Sequence, residues 1–185
     1  MINQADNKNM EKTGSYLSFK LSDEFFAIQV MRIIEILEVP KITKVPQSPD
    51  FLVGVINLRG AVLPVIDSRL KFGMSKTDYT INTCILVLKI EVDEEEVFVG
   101  ALVDSVSEVF DIELSKIKAS PTLATKYRAD YIEGMIQIED GFMMVLNIDK
   151  VFSSMDLTSY ELTIPSSMAR HSNHDTGCWE CRGTA

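Results

Sequence analysis

Two nineteen-residue stretches of this chain follow one pattern without a gap, and that constrains its fold more than any other feature. Gly54 to Phe72 reads GVINLRGAVLPVIDSRLKF, and Gly134 to Phe152 reads GMIQIEDGFMMVLNIDKVF. Gly54 aligns with Gly134, Ile56 with Ile136, Val65 with Val145 and Phe72 with Phe152. Between them Asn57 faces Gln137, Leu58 faces Ile138, Ile66 faces Leu146 and Asp67 faces Asn147. Upstream, VMRIIEILEV (Val30 to Val39) lines up with VDSVSEVFDI (Val103 to Ile112), sharing Val30/Val103 and Glu35/Glu108. Few positions are identical, so chance β-patterning is the alternative. The shared order and absent gaps favour one small β-module used twice.

Each copy reads as short strands. Leu17, Phe19 and Leu21 alternate with polar or small neighbours, and Phe26, Ile28 and Val30 repeat the period. Ile33 to Val39 is a β-branched-rich run ended by Pro40. Ser48-Pro49 is the cap and first position of one helical turn. Val53 to Leu58 and Ala61 to Ile66 form a hairpin about Arg59-Gly60, where Gly60 supplies a positive φ. Pro64 cannot donate to a ladder, which predicts an edge strand or a bulge for the second arm. Asp67 caps the short SRLKF segment. The second copy follows suit: strand CILVLKI (84–90), an acidic turn EVDEEE (91–96), the returning strand VFVGALV (97–103), and a helix opened by Ser120-Pro121 that runs to Tyr131. A hairpin about Glu139-Asp140-Gly141 and a terminal helix over Asp149 to Ser159 complete it.

Many short strands and no long amphipathic helix predict an all-β chain of two small barrels side by side. The division expected is a flexible segment 1–14, barrels over 15–82 and 83–160, and a polar disordered tail over 161–185. Barrels this small are marginal alone, so the joint between them should be broad and apolar.

Charge and composition narrow the partners. A net charge of −9 opposes binding to nucleic acid or an anionic membrane surface. No apolar run approaches the roughly 20 residues that span a bilayer. The polar N-terminus lacks the apolar centre of a secretory signal, which predicts a cytoplasmic protein. Three cysteines without such a signal give no disulfide framework; Cys84, inside CILVLKI, reads as a buried small hydrophobe.

Catalytic chemistry has little to hold. The only histidines, His171 and His174, lie in the tail, and the core has no nucleophile elbow, phosphate loop or H-E-x-x-H pair. The carboxylates from Asp93 to Glu96 are contiguous rather than alternating as in a calcium loop. No cofactor is expected. His171, His174, Cys178 and Cys181 suit tetrahedral zinc by residue type, yet they crowd a short polar segment; an unstructured tail is the plainer reading.

Two features point to protein recognition instead. Arg59 at a hairpin tip gains little for folding, whereas its planar five-donor fork suits a partner's carboxylate or backbone; a solubilising turn charge is the ordinary alternative. Ile33 and Ile34 are adjacent on a strand and cannot both enter one core, so one faces the neighbouring barrel or a partner, with Glu35 as polar rim.

The stretch V-x-x-x-P-x-F-x-x-G-V-I-N-L-R-G-x-V-x-P-V-I-D-x-R, Val45 to Arg69, resembles the central motif of the CheW family of chemotaxis coupling proteins. VMRIIEILEVPKITKVP before it, and VGALVDSVSEVFDI and YIEGMIQIEDGFMMVLNIDKVF after it, agree, so the resemblance covers roughly residues 15–155. It implies two tandem five-stranded barrels of the Src-homology-three-like type, no catalytic activity and no cofactor. It implies an adaptor joining the cytoplasmic tip of a methyl-accepting chemoreceptor to the regulatory domain of a CheA-type histidine kinase, at the inner face of the membrane. Arg59 matches the family's contact arginine, in a turn formed with Asn57, Leu58 and Gly60. Ile33 and Glu35 match its receptor-contact positions, and Gly54, Pro64, Asp67 and Arg69 match its structural motif. Ser68 departs from the leucine usual there, which would loosen packing under the hairpin. The HxxH/CxxC tail matches nothing in the family. A chemosensory scaffold with another output, or a metal- or redox-responsive protein acting through the tail, are the rival readings. A CheV-like adaptor would need roughly another hundred residues of receiver domain.

Overall fold

The computed structural model describes residues 13–92, 94–119, 129–139 and 141–153. These contain β1 (Thr13–Leu21), β2 (Glu24–Gln29), β3 (Ile33–Glu38), β4 (Leu52–Leu58), β5 (Ala61–Asp67), β6 (Cys84–Val92), β7 (Glu95–Val103), β8 (Ser105–Glu113), β9 (Ile132–Ile138) and β10 (Gly141–Leu146). Two short helices, α1 (Ser68–Lys71) and α2 (Ile148–Ser153), follow β5 and β10. The strands form two five-stranded sheets, in the orders β8-β1-β2-β10-β9 and β3-β6-β7-β5-β4.

The duplication is visible in the pairing. β5 runs parallel to β7 with Val65 opposite Gly100, and β10 runs parallel to β2 with Val145 opposite Ala27. Lone bridges also correspond, Thr43 with Val55 and Lys118 with Met135. The repeats are therefore β1–β5 and β6–β10, and each gives its leading hairpin to the other's sheet. The limits 15–82 and 83–160 follow the repeats and not the sheets: β1 and β2 belong with β8–β10, while β6 and β7 belong with β3–β5. Connection length explains the exchange. Only Asp104 separates β7 from β8. Within one sheet the two would lie two places apart, about 10 Å, whereas one intervening residue spans about 7 Å. β7 must therefore run on into the neighbouring sheet.

Each sheet has its own core. Ile56, Leu63, Val65, Ile85, Val87 and Leu102 fill one, and Tyr16, Ala27, Ile136, Met143 and Val145 the other. A third cluster joins them, with Leu17, Phe19, Phe26 and Ile28 of one sheet packed with Ile66, Leu86, Leu88 and Val99 of its neighbour. Phe26 stacks between Phe19 (5.7 Å between centroids) and Phe72 (5.5 Å), and Tyr131 meets Phe72 edge-on. The joint is apolar and aromatic, as two barrels too small to stand alone require.

Several local expectations are revised. Ser48 caps no helix: its hydroxyl donates to the Val45 carbonyl at 2.9 Å, in a turn closed by Leu52 N–H on the Pro49 carbonyl. Val30 leaves the strand for a single 3₁₀ turn over Val30–Arg32, the second crossing between sheets. β5 is an inner strand and not an edge. Pro64 is tolerated because the parallel ladder to β7 begins one residue later, at Val65, and the bulge lies on β4 between Leu52 and Gly54. Gly141 pairs with Ile138, so the second hairpin turns between these two residues. The helix expected from Ser120 lies outside the described residues except for its end, a 3₁₀ turn over Ala129–Tyr131. Cys84 is half-buried.

Candidate functional site

Pairing of Leu58 with Ala61 leaves Arg59 and Gly60 as a two-residue turn, with φ of 54° and 89°. Two positive φ values mark a type I′ turn, whose hand matches strand twist. Gly60 adopts this conformation freely, but Arg59 gives up about 1 kcal/mol to it. Asn57 holds the turn closed by accepting the Gly60 N–H on its side-chain oxygen at 2.8 Å. The tip is thus fixed by its neighbours, and the arginine side chain it presents is 71% exposed.

Arg59 Nη2 donates to Glu35 Oε2 at 2.7 Å. Glu35 is on β3 and Arg59 follows β4, the two opposite ends of one sheet order, so this contact records the curling of the sheet into a barrel. Backbone bonds between Thr43 and Val55, at 2.9 and 2.8 Å, close the same seam. An ion pair with so exposed a member contributes about 0–1 kcal/mol, too little to explain a strained arginine.

β3 resolves the isoleucine question. Ile33 is half-buried against the core between the sheets, and Leu37 against the core of its own sheet. Ile34 and Ile36 point outward, 49% and 48% exposed, and Met31 is exposed beside them. Ile33 and Glu35 therefore share the inward face, with Arg59 over it. Leu58 packs on its sheet's core rather than standing free. The sequence leaves open which of Ile33 and Ile34 turns outward; it is Ile34, with Ile36 on the same face.

The motif residues behind the tip have structural work. Asp67 is buried, and its Oδ1 accepts the Arg69 and Leu70 N–H groups at 2.9 and 3.2 Å, capping α1. Arg69 grips Asp104 through Nε (2.7 and 2.9 Å) and through Nη2. Asp104 also accepts the Ser22 N–H at 2.6 Å, so the pair ties α1 to the β7–β8 crossing and the β1–β2 turn. That hydrogen bonding holds the Arg69 pKa above its usual value, with burial working against it. Arg32 and Asp149, 2.6 Å apart, make the counterpart at the other crossing, where Asp149 also accepts the Glu91 N–H. Arg69→Ala should lower the unfolding free energy by about 2 kcal/mol, read from the urea midpoint, because it leaves a largely buried carboxylate half-paired. Ser68 is buried, so the family's usual leucine has a small polar substitute in a packed position.

Burial pushes the Cys84 thiol pKa up. With Cys178 and Cys181 changed to serine, Cys84 should be alkylated at pH 8 more slowly than an exposed thiol, since thiolate is the reactive form. Among the described residues no group of three or more His, Cys, Asp or Glu could hold a metal ion, and no helix is long and apolar enough to cross a membrane. His171, His174, Cys178 and Cys181 lie outside the described residues.

The model of the CheW-like domain matches residues 15–156. The chain belongs to the CheW-like family. Membership places it among adaptors and scaffolds, not enzymes. It is similar to the chemotaxis protein CheW of Klebsiella aerogenes, 31% identical over 142 residues that cover 77% of this chain and 83% of that protein. The chemotaxis protein CheW of Rhizobium meliloti strain 1021 is also 31% identical, over 75% of this chain and 86% of its own. Among solved structures, the crystal structure of the scaffolding protein TtCheW from Thermoanaerobacter tengcongensis superposes with a TM-score of 0.69 at 26% identity. That match covers 84% of this chain and 99% of the other. The CheW-like match takes in both sheets, the Arg59 turn and α2.

Proposed function

We propose that this chain is a non-enzymatic chemotaxis adaptor that couples methyl-accepting chemoreceptors to a CheA-type histidine kinase. One face takes the cytoplasmic tip of the receptor and another the kinase's regulatory domain, and the protein reaches the inner face of the membrane through the receptor. The observation that carries this reading is the Arg59 turn: a rigid hairpin tip holds an arginine in a strained backbone conformation, exposes it, and pairs it with Glu35 beside the apolar strand β3. Strain of this kind persists where recognition uses it. A planar fork over an apolar wall fits a protein partner better than a small molecule. The CheW relatives named for chemotaxis, and the scaffolding protein of like structure, support the same reading.

Contacts of this sort are modest in area and weak one by one, which suits a signalling array held by many repeats. The test is calorimetric titration of the full chain with the regulatory domain of the CheA-type kinase, and separately with the receptor-tip fragment, both from the same genome. Binding to both, each in the micromolar range, is expected. Binding to neither by a folded chain would end the coupling role.

A further inference from the structure

We infer that the joint between the two barrels is a hinge, fixed at the Asp104 crossing and latched by Arg32 on Asp149. Its use rests on the adaptor reading, whereas the latch itself follows from the two crossings. The chain passes between the sheets on either side of β3–β7, and an ion pair clamps each crossing. The clamps are built alike with their charges exchanged. Arg69 of α1 and Asp149 of α2 hold aligned places in the nineteen-residue repeat, and each reaches an opposite charge in a crossing, Asp104 or Arg32. In both, the carboxylate also accepts an N–H from a leading hairpin, that of Ser22 or of Glu91. Each clamp thus ties the helix that follows one sheet to a hairpin of the other.

The two are unequal. Arg69 grips both oxygens of Asp104, through Nε at 2.7 and 2.9 Å and through Nη2, and a single residue joins β7 to β8. Arg32 gives Asp149 one bond, Nη2 to Oδ2 at 2.6 Å, and its crossing is a three-residue 3₁₀ turn. A forked pair on a short connection is stiff, so the single bond beside the longer turn gives way first. The apolar joint keeps the barrels in contact, and release of Arg32 therefore changes their angle and not their separation. Met31 and Ile34, close to Arg32 in the chain, are exposed, so a partner seated there bears on the latch. Seating of the receptor tip then shifts the barrel angle, and with it the surface turned to the kinase.

Asp149→Asn keeps an oxygen for the Glu91 N–H and removes the charge that holds Arg32. Arg69→Met releases the other clamp and serves as the comparison. Both are made in the full chain with Cys84→Ala, Cys178→Ser and Cys181→Ser. Spin labels on Val62→Cys and Val109→Cys, exposed positions on β5 and β8, report the distance between the sheets by pulsed dipolar spectroscopy. Circular dichroism establishes folding. Asp149→Asn should broaden the distance distribution about twofold, while Arg69→Met lowers the urea midpoint and leaves the width near that of wild type. In wild type, saturating receptor-tip fragment should change affinity for the kinase's regulatory domain about fivefold, an effect that Asp149→Asn cuts below about twofold. A distribution as narrow as that of wild type in folded Asp149→Asn, or equal broadening by both variants, would overturn the hinge. Coupling unchanged in Asp149→Asn would overturn its use. Absence of binding by folded wild type would end the adaptor reading, and the distances would still decide the hinge.

Discussion

Arg59→Ala should weaken binding to the kinase's regulatory domain at least about tenfold while leaving the urea midpoint nearly unchanged. The two halves of this expectation have separate causes. The side chain is 71% exposed and its guanidinium pairs with a single carboxylate oxygen, so its removal costs the fold about 0–1 kcal/mol. At an interface the same group becomes desolvated, and arginines in such positions commonly carry about 2 kcal/mol or more of binding. Arg59→Asn sharpens the comparison. Asn-Gly is the favoured pair for a type I′ turn, so this variant should fold about 0.5–1 kcal/mol more stably than wild type and still lose binding. Opposite movement of stability and affinity at one position would identify the arginine as kept for a partner. Undiminished kinase binding with reduced receptor binding would assign the tip to the receptor side. Undiminished binding to both would remove the turn from the coupling surface.

Local signals in the sequence reached the hairpin, its tip and its cap, because each is written in two to four adjacent residues. Arg59 and Gly60 form the two-residue turn expected of them, and Asp67 caps α1 as expected. What escaped depended on the path of the chain between sheets. VGALVDSVSEVFDI reads as strand on both sides of Asp104, and nothing in its pattern says that a single residue carries the chain into the other sheet. The exchange of hairpins follows from that short crossing, but only once strand order is known. The same gap hid the Arg59–Glu35 pair. A tip arginine and a rim glutamate were separate hints until curling brought β3 against the β4–β5 turn. Ile33 shows the limit in another way: alternation required one of two isoleucines to turn outward, and burial of Glu35 on the face of Ile33 decided for Ile34. Pro64 points to an edge strand or a bulge in the second arm, yet β5 is an inner strand because the ladder Pro64 would have interrupted starts one residue later.

Gly54→Ala should be the most damaging glycine-to-alanine change among the described residues, costing about 4 kcal/mol of unfolding free energy by urea denaturation. Gly54 has φ of +152°, which strains any side chain. A Cβ there would stand 2.2 Å from the Thr43 carbonyl oxygen and 2.8 Å from Ile42 Cγ2. The oxygen belongs to the backbone bridge between Thr43 and Val55, which closes the barrel seam beneath Arg59, so it cannot move aside without breaking that bridge. The repeat supplies an internal control. At Gly134 the first obstacle is Ile117 Cγ2 at 2.4 Å, a side-chain methyl that can rotate, with the Lys118 carbonyl farther off at 2.9 Å. Gly134→Ala should therefore cost about half as much. At Gly60 a Cβ meets nothing within 4 Å, so the cost there is that of positive φ alone. The order Gly54, Gly134, Gly60 in falling damage is what the seam geometry requires. If Gly54→Ala and Gly60→Ala proved equal, the close approach of Thr43 would not be what holds the barrel shut.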